Sequence, residues 1–268
     1  MSNQNASQKA LQKRKPGKSV KTLRPADAFA DTLRRRQREA GSRRKGERTR
    51  DRLKLATVQV LEDKGYLRLR VTDICKRAGV SPAAFYLYFK NKQEVTVEVL
   101  TEFLHEAFEL STGSGEKRTL FEAIYEANLL WVTSVRANAG LMHCLLQLGD
   151  QVPEFRALNE RLNHEWFERV TERLLRRCDA PRVDHDVVLL AIYALGGMMD
   201  ELSRKVLVAK EASLQPVVKA TAPSDEALAE FMTVLWYRAL FGAEPGPLRF
   251  TASKELLKLG PLGQLPST

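Results

Sequence analysis

The chain has 268 residues, 44% of them apolar, and a formal net charge of +10. That is enough apolar material for one large domain or two small ones with separate cores. It excludes a membrane span, because the longest apolar run, 187–199, is well short of the roughly 20 residues such a helix needs.

The charge is unevenly placed. Residues 1–50 hold 16 Lys/Arg against 4 Asp/Glu, and the remainder holds 27 against 29. The start of the chain is polar and basic, without the apolar stretch of a secretory signal. Residues 1–44 carry the basic clusters Lys13-Arg14-Lys15, Arg34-Arg35-Arg36 and Arg43-Arg44-Lys45. They read as a largely disordered arm that attracts phosphate through counterion release, or alternatively as a solubilising tail. Within it, 27–40 has the makings of a helix, formed alone or only on a partner.

From Glu47 onward the pattern turns helical. Leu53, Ala56, Val60 and Leu61 share one helix face, and Gly65 supplies the stop. Val71, Ile74, Cys75 and Ala78 form a second stripe, ended by Gly79. Ser81-Pro82 then starts a short third helix with a cap and a first-turn proline. Phe85 and Phe89 form its inner face, and Asn91-Lys92 opens a fourth helix running to about Leu110.

Residues 111–115 read as a Gly/Ser loop. Further helices are expected at about 118–136, 139–149, 153–178, 184–208 and 224–241, followed by a Pro/Gly-rich, loosely ordered tail at 246–268. No segment reads as a strand, so the expected fold class is all-α.

Two short helices joined by the turn Gly79-Val80-Ser81 can place the second helix in a DNA major groove. Ala83 and Ala84 permit close approach, and their methyls can touch a thymine methyl. Tyr86, Tyr88 and Lys92 can donate to phosphates.

The run Gly65-Tyr66, Val71-Thr72-Asp73-Ile74, Ala78-Gly79-Val80-Ser81, Tyr88-Phe89-Lys90 resembles the TetR family of bacterial regulators. The resemblance covers roughly 45–106 at motif level and 107–245 in the count, length and order of helices. It implies a three-helix DNA-binding domain at 45–106, with its helix-turn-helix at 70–89, joined to an effector-binding and dimerisation domain at 107–245. It implies DNA-facing positions at Arg70, Thr72, Ser81, Pro82, Ala83, Ala84, Tyr86, Tyr88 and Lys92. It also implies a homodimer through the helices at 184–208 and 224–241, where Ala194 and Gly196-Gly197 would allow close packing. Arg70 departs from the family, which usually carries a capping Ser or Thr there. Arginine cannot accept from the free N–H groups, so a phosphate beside that helix end would account for it.

TetR-like proteins usually hold a small molecule in the C-terminal half. Trp131, Met142, His143, Phe155, Trp166, Tyr193 and Met198 are the candidates, and their apolar, aromatic character leans towards a hydrophobic effector. No cofactor or metal is expected. The histidines at 105, 143, 164 and 185 lack HxxxH or HExxH spacing. Cys75, Cys144 and Cys178 lack CxxC spacing, which fits a reducing cytoplasm. Cys75 reads as a small buried hydrophobe, with a redox sensor as the alternative. Gly113-Ser114-Gly115-Glu116-Lys117 lacks the ending of a phosphate loop, and no catalytic constellation stands out. The expected function is a cytoplasmic, nucleoid-associated repressor released from a palindromic operator by a small effector. An architectural DNA binder working through the basic arm is the alternative, and a helical enzyme is a third reading.

Overall fold

The computed structural model describes residues 28–39, 44–110, 119–177, 183–242 and 246–257. The arm before residue 28, the loop expected at 111–115 and Cys178 lie outside that set. Among the described residues there is no strand, and no helix is long and apolar enough to cross a membrane.

The first helix, α1 (Phe29–Glu39), lies inside the segment expected to be disordered. It needs no partner, because it packs on its own chain. Phe29 and Leu33 are buried, and the Phe29 ring meets Phe103 at 5.6 Å. The Phe29 N–H donates to Asn138 Oδ1 at 2.7 Å. Two apolar side chains in a strongly basic run suffice to anchor one amphipathic turn, which composition averaged over 44 residues conceals.

An N-terminal head follows as α2 (Lys45–Arg68), α3 (Val71–Ala78), α4 (Pro82–Tyr86) and α5 (Lys92–Leu110). In α2 the expected face is buried: Leu53, Ala56, Val60 and Leu61 are all core. Gly65, with φ +70°, kinks the helix rather than ending it, and one further turn carries Tyr66 into the core.

The C-terminal half comprises α6 (Leu120–Ala137), α7 (Ala139–Gln151), α8 (Pro153–Arg177), α9 (His185–Ser203), α10 (Gln215–Thr221), α11 (Asp225–Phe241) and α12 (Thr251–Leu257). A π-helical turn, Arg204–Val208, continues α9. Neither α10 nor α12 is visible in the periodicity. The described part of the expected loose tail, 246–257, is instead held by the buried Glu230 carboxylate, which accepts from the N–H groups of Arg249 and Phe250 at 2.9–3.1 Å, and 258–268 lie outside the described residues. Arg238 Nη1 donates to the Leu256 carbonyl at 2.8 Å.

Two hydrophobic cores result, and they do not divide at residue 106. The head core also takes in Leu141, Cys144 and Leu148 of α7 and Phe155 and Leu162 of α8. The second core joins α6, the rest of α8, α9 and α11. Met142 packs against both.

Candidate functional site

The helix-turn-helix is built from local chemistry. Gly79 adopts the left-handed conformation (φ 67°, ψ 41°) that lets α3 stop and the chain turn. Ser81 Oγ accepts from the Ala84 N–H at 3.1 Å, and Pro82 occupies the first turn of α4. Phe85 and Phe89 are buried with their rings 5.8 Å apart, which turns the opposite side of α4 outward.

Arg70, Thr72, Ser81, Pro82, Ala83 and Tyr86 are exposed, and Ala84 is half-buried. Arg70 precedes α3 with an extended backbone and makes no side-chain cap. Asp73 in the first turn is held by Lys64 at 2.9 Å, and this contact, aided by Arg70, lowers its pKa. Leu87, 81% exposed just after α4, adds an apolar group to this surface that the pattern of the sequence did not single out.

Two expected phosphate donors are placed differently. Tyr88 is half-buried over Gly46 at the start of α2. Lys92 is committed within the head: its Nζ donates to the carbonyls of Leu69 (3.1 Å) and Tyr66 (3.3 Å) and sits 4.8 Å from the Tyr66 ring centre. It neutralises the carbonyl end of α2, where a cation is favoured.

Arg50 is a positioning residue that local patterns miss. It donates to Glu98 and to the Tyr88 carbonyl at 3.1 Å, and its guanidinium lies 4.5 Å from the centre of the Phe89 ring. It thus fixes the segment leaving α4. Its partners are 38 and 48 residues away, so nothing local could have found it.

In the C-terminal half two adjoining chambers share Ala107, Trp131, Asn163 and Asp200. The larger, called the outer chamber for convenience, has a volume of about 310 Å³, and the smaller, called the inner, about 60 Å³. Of the expected effector residues, Trp131 and Trp166 line the inner chamber, and Trp131 and Met142 line the outer. Four do not line either. Phe155 faces the head core. His143 is exposed and pairs with Gln147 at 2.9 Å. Tyr193 turns onto Phe167 and His164, with its hydroxyl 2.8 Å from His164 Nδ1. Met198 packs half-buried in the second core.

Among the other lining residues, Asn128, Asn163, Phe167, Asp200 and Trp236 were missed. The one usable signal was Asp200, an acid placed directly after the apolar run 187–199. Asp200 is exposed and lines both chambers. The surrounding protein raises its pKa to about 6 by desolvation.

Cys75 and Cys144 are buried, and burial pushes both thiols up, Cys144 to about 11. Neither is poised as a thiolate.

The dimer expectation meets one correction. Gly196 does not face outward: a Cβ there would lie 2.5 Å from the Phe167 ring of the same chain. Much of α11 is already covered, with eight of its residues buried. The open face belongs to α9, where Val187, Leu190, Ala194 and Gly197 are exposed, with Val183 exposed just before the helix.

Comparison with known proteins agrees with this architecture. The family model described as "Bacterial regulatory proteins, tetR family" matches residues 55–99. The fatty acid metabolism regulator protein of Bacillus subtilis is 37% identical over 70 residues, covering 26% of this chain and 36% of its own length. An uncharacterised HTH-type regulator of the same organism is 36% identical over 59 residues, covering 22% of this chain and 30% of its own. The chain thus spans about a third of each of those two relatives. EthR of Mycolicibacterium smegmatis, an HTH-type transcriptional regulator, is 23% identical over 71% of this chain and 86% of its own. In fold, a tetR-family regulator from Streptomyces coelicolor superposes with a TM-score of 0.58 at 12% identity, covering 72% of this chain and 80% of its own. The fatty acid degradation regulator FadR of Bacillus halodurans gives 0.53 at 22% identity, covering 72% and 96%. The helix-turn-helix segment thus matches that of the TetR family of transcriptional regulators, and the helical fold of the chain is similar to theirs.

Proposed function

We propose that the protein is a ligand-released repressor that binds a palindromic operator as a homodimer. The observation that carries this reading is the outward face of the helix-turn-helix: Ser81, Pro82, Ala83 and Tyr86 exposed on α4, with Arg70 and Thr72 at the start of α3. On this reading Ala83, Ala84 and Tyr86 enter the groove and Arg70 binds a phosphate. Tyr88 and Lys92 hold the helix in place rather than reading DNA.

One head covers only a few base pairs, so specificity calls for two heads about 34 Å apart. The exposed stripe on α9 is the surface proposed to join the protomers. An effector in the chambers around Asp200 would favour a conformation in which the two heads lose groove spacing. A cytoplasmic, nucleoid-associated setting follows from that role.

Selection of bound sites from genomic DNA fragments by the full-length chain, followed by footprinting, tests the reading. A discrete two-fold symmetric site is expected. Uniform protection without a preferred sequence would instead favour an architectural binder working through the basic arm.

A further inference from the structure

The wall of the effector cavity contains one charge that the protein leaves unanswered. The outer chamber is lined by Asp200, Glu201 and Arg204. Arg204 donates from Nε and Nη2 to both oxygens of Glu201, at 2.7 Å each, so that pair cancels. Asp200 remains. Among the described residues it has no hydrogen-bond or ion-pair partner, and desolvation alone moves its pKa, to about 6.

The rest of the wall is aromatic. The chain contains three tryptophans, and all three line the inner chamber with Phe167. Indole faces attract cations through the ring quadrupole, an interaction that strengthens where water is excluded. A carboxylate among indole rings therefore complements a cation carried on an apolar body. An anionic amphiphile would set its own carboxylate beside Asp200, with no unpaired cation among the described lining residues to receive it.

We propose that the effector is an organic cation, a protonated amine or quaternary ammonium on an aromatic or apolar body. Its charge sits against Asp200, and its rings lie among Trp131, Trp166 and Trp236. This rests on the reading of the chambers as the effector site. The outer chamber, at about 310 Å³, is at the lower end of the range for small-molecule sites. The Trp131 and Trp236 N–H groups, buried without partners among the described residues, leave room for an acceptor atom elsewhere on the ligand.

Because all three tryptophans line the cavity, intrinsic fluorescence reports on it directly. The full-length protein is titrated with tetraphenylphosphonium and tetraphenylborate, which share a shape and differ in charge. A smaller pair, benzyltrimethylammonium and phenylmethanesulfonate, and the neutral triphenylphosphine oxide complete the set. At least one cation is expected to quench or shift the emission with about tenfold or greater preference over its anion. D200N is expected to erase that preference while binding of the neutral probe stays within about twofold. Equal or tighter binding of the anions, or a preference that survives D200N, overturns the assignment of charge and leaves the effector cavity standing. No response to any of the five probes overturns both.

Discussion

Two cations at the edge of the helix-turn-helix have different jobs, although in the sequence they look alike. Lys92 bonds two carbonyls at the end of α2, and Arg70 stands exposed before α3 with no capping bond. Lys92→Met should therefore destabilise the head, by about 1.5–3 kcal/mol for hydrogen bonds made by a charged group, read as a lower urea midpoint. Arg70→Ala should leave that midpoint alone and flatten the salt dependence of operator binding by about one unit per half-site. The opposite assignment of effects would exchange the two roles. Asp200 makes a third case. Its folded pKa of about 6 lies above the ordinary 3.8, so the folded state prefers the protonated acid. Ionisation costs nothing below pH 3.8, costs progressively more up to about pH 6, and is fully unfavourable above it. Asp200→Asn should raise stability at pH 7 by about 1 kcal/mol, a value reduced for the water that reaches the carboxyl through the cavity. The gain should shrink as the unfolding curves are taken towards pH 4. A carboxylate that weakens its own fold at neutral pH is understandable where a ligand needs it.

Elements were legible where their signals are local. Ser81-Pro82 and Gly79 announced the boundaries of α3 and α4, and the capping box Thr119/Glu122 lies where α6 begins. What the sequence could not say is which neighbour each helix serves, and α7 is the clearest instance. Its position, Ala139–Gln151, is close to the expected 139–149, yet it belongs to both halves of the molecule. Leu141, Cys144 and Leu148 enter the head core, while Met142 and Leu145 line the outer chamber. Apolar residues on two faces fix a buried helix, not its partners. The junction is tight. Glu62 on α2 accepts from the Gly140 and Leu141 N–H groups at 2.9 and 3.0 Å, and a Cβ on Gly140 would meet the Glu62 Cα at 2.5 Å. Backbone there cannot swing aside as a long side chain would. Gly140→Ala should push α7 off α2, costing about 1–3 kcal/mol of stability. It should also weaken operator binding in the absence of effector, although residue 140 is remote from the reading face. Intact operator affinity in a destabilised variant would show that α7 supports the head without steering it.

At the scale of the whole molecule the proposed dimer requires two heads held in register. The periodicity pointed equally to α9 and α11, because both are apolar on most faces. The fold separates them. α11 is wrapped by α6, with Asn128 Nδ2 donating to Thr233 Oγ1 at 2.9 Å inside the contact, and by the C-terminal segment bound to Glu230. On α9, by contrast, Val187, Leu190, Ala194 and Gly197 recur at intervals of three and four and remain exposed, Leu190 by 72%. This is the spacing of a helix seam, and its small residues allow a second helix to approach closely. Val187→Asp combined with Leu190→Asp would place two carboxylates in that seam, where each buried charge would face its symmetry mate. Neither side chain is in the monomer core, so helicity and the thermal unfolding of the monomer should change little. Sedimentation velocity should show the shift from dimer to monomer, and operator affinity should fall by orders of magnitude as two-headed binding is lost. A double variant that stays dimeric would move the interface away from α9, to the half-buried edge of α11 around Phe231 and Leu235.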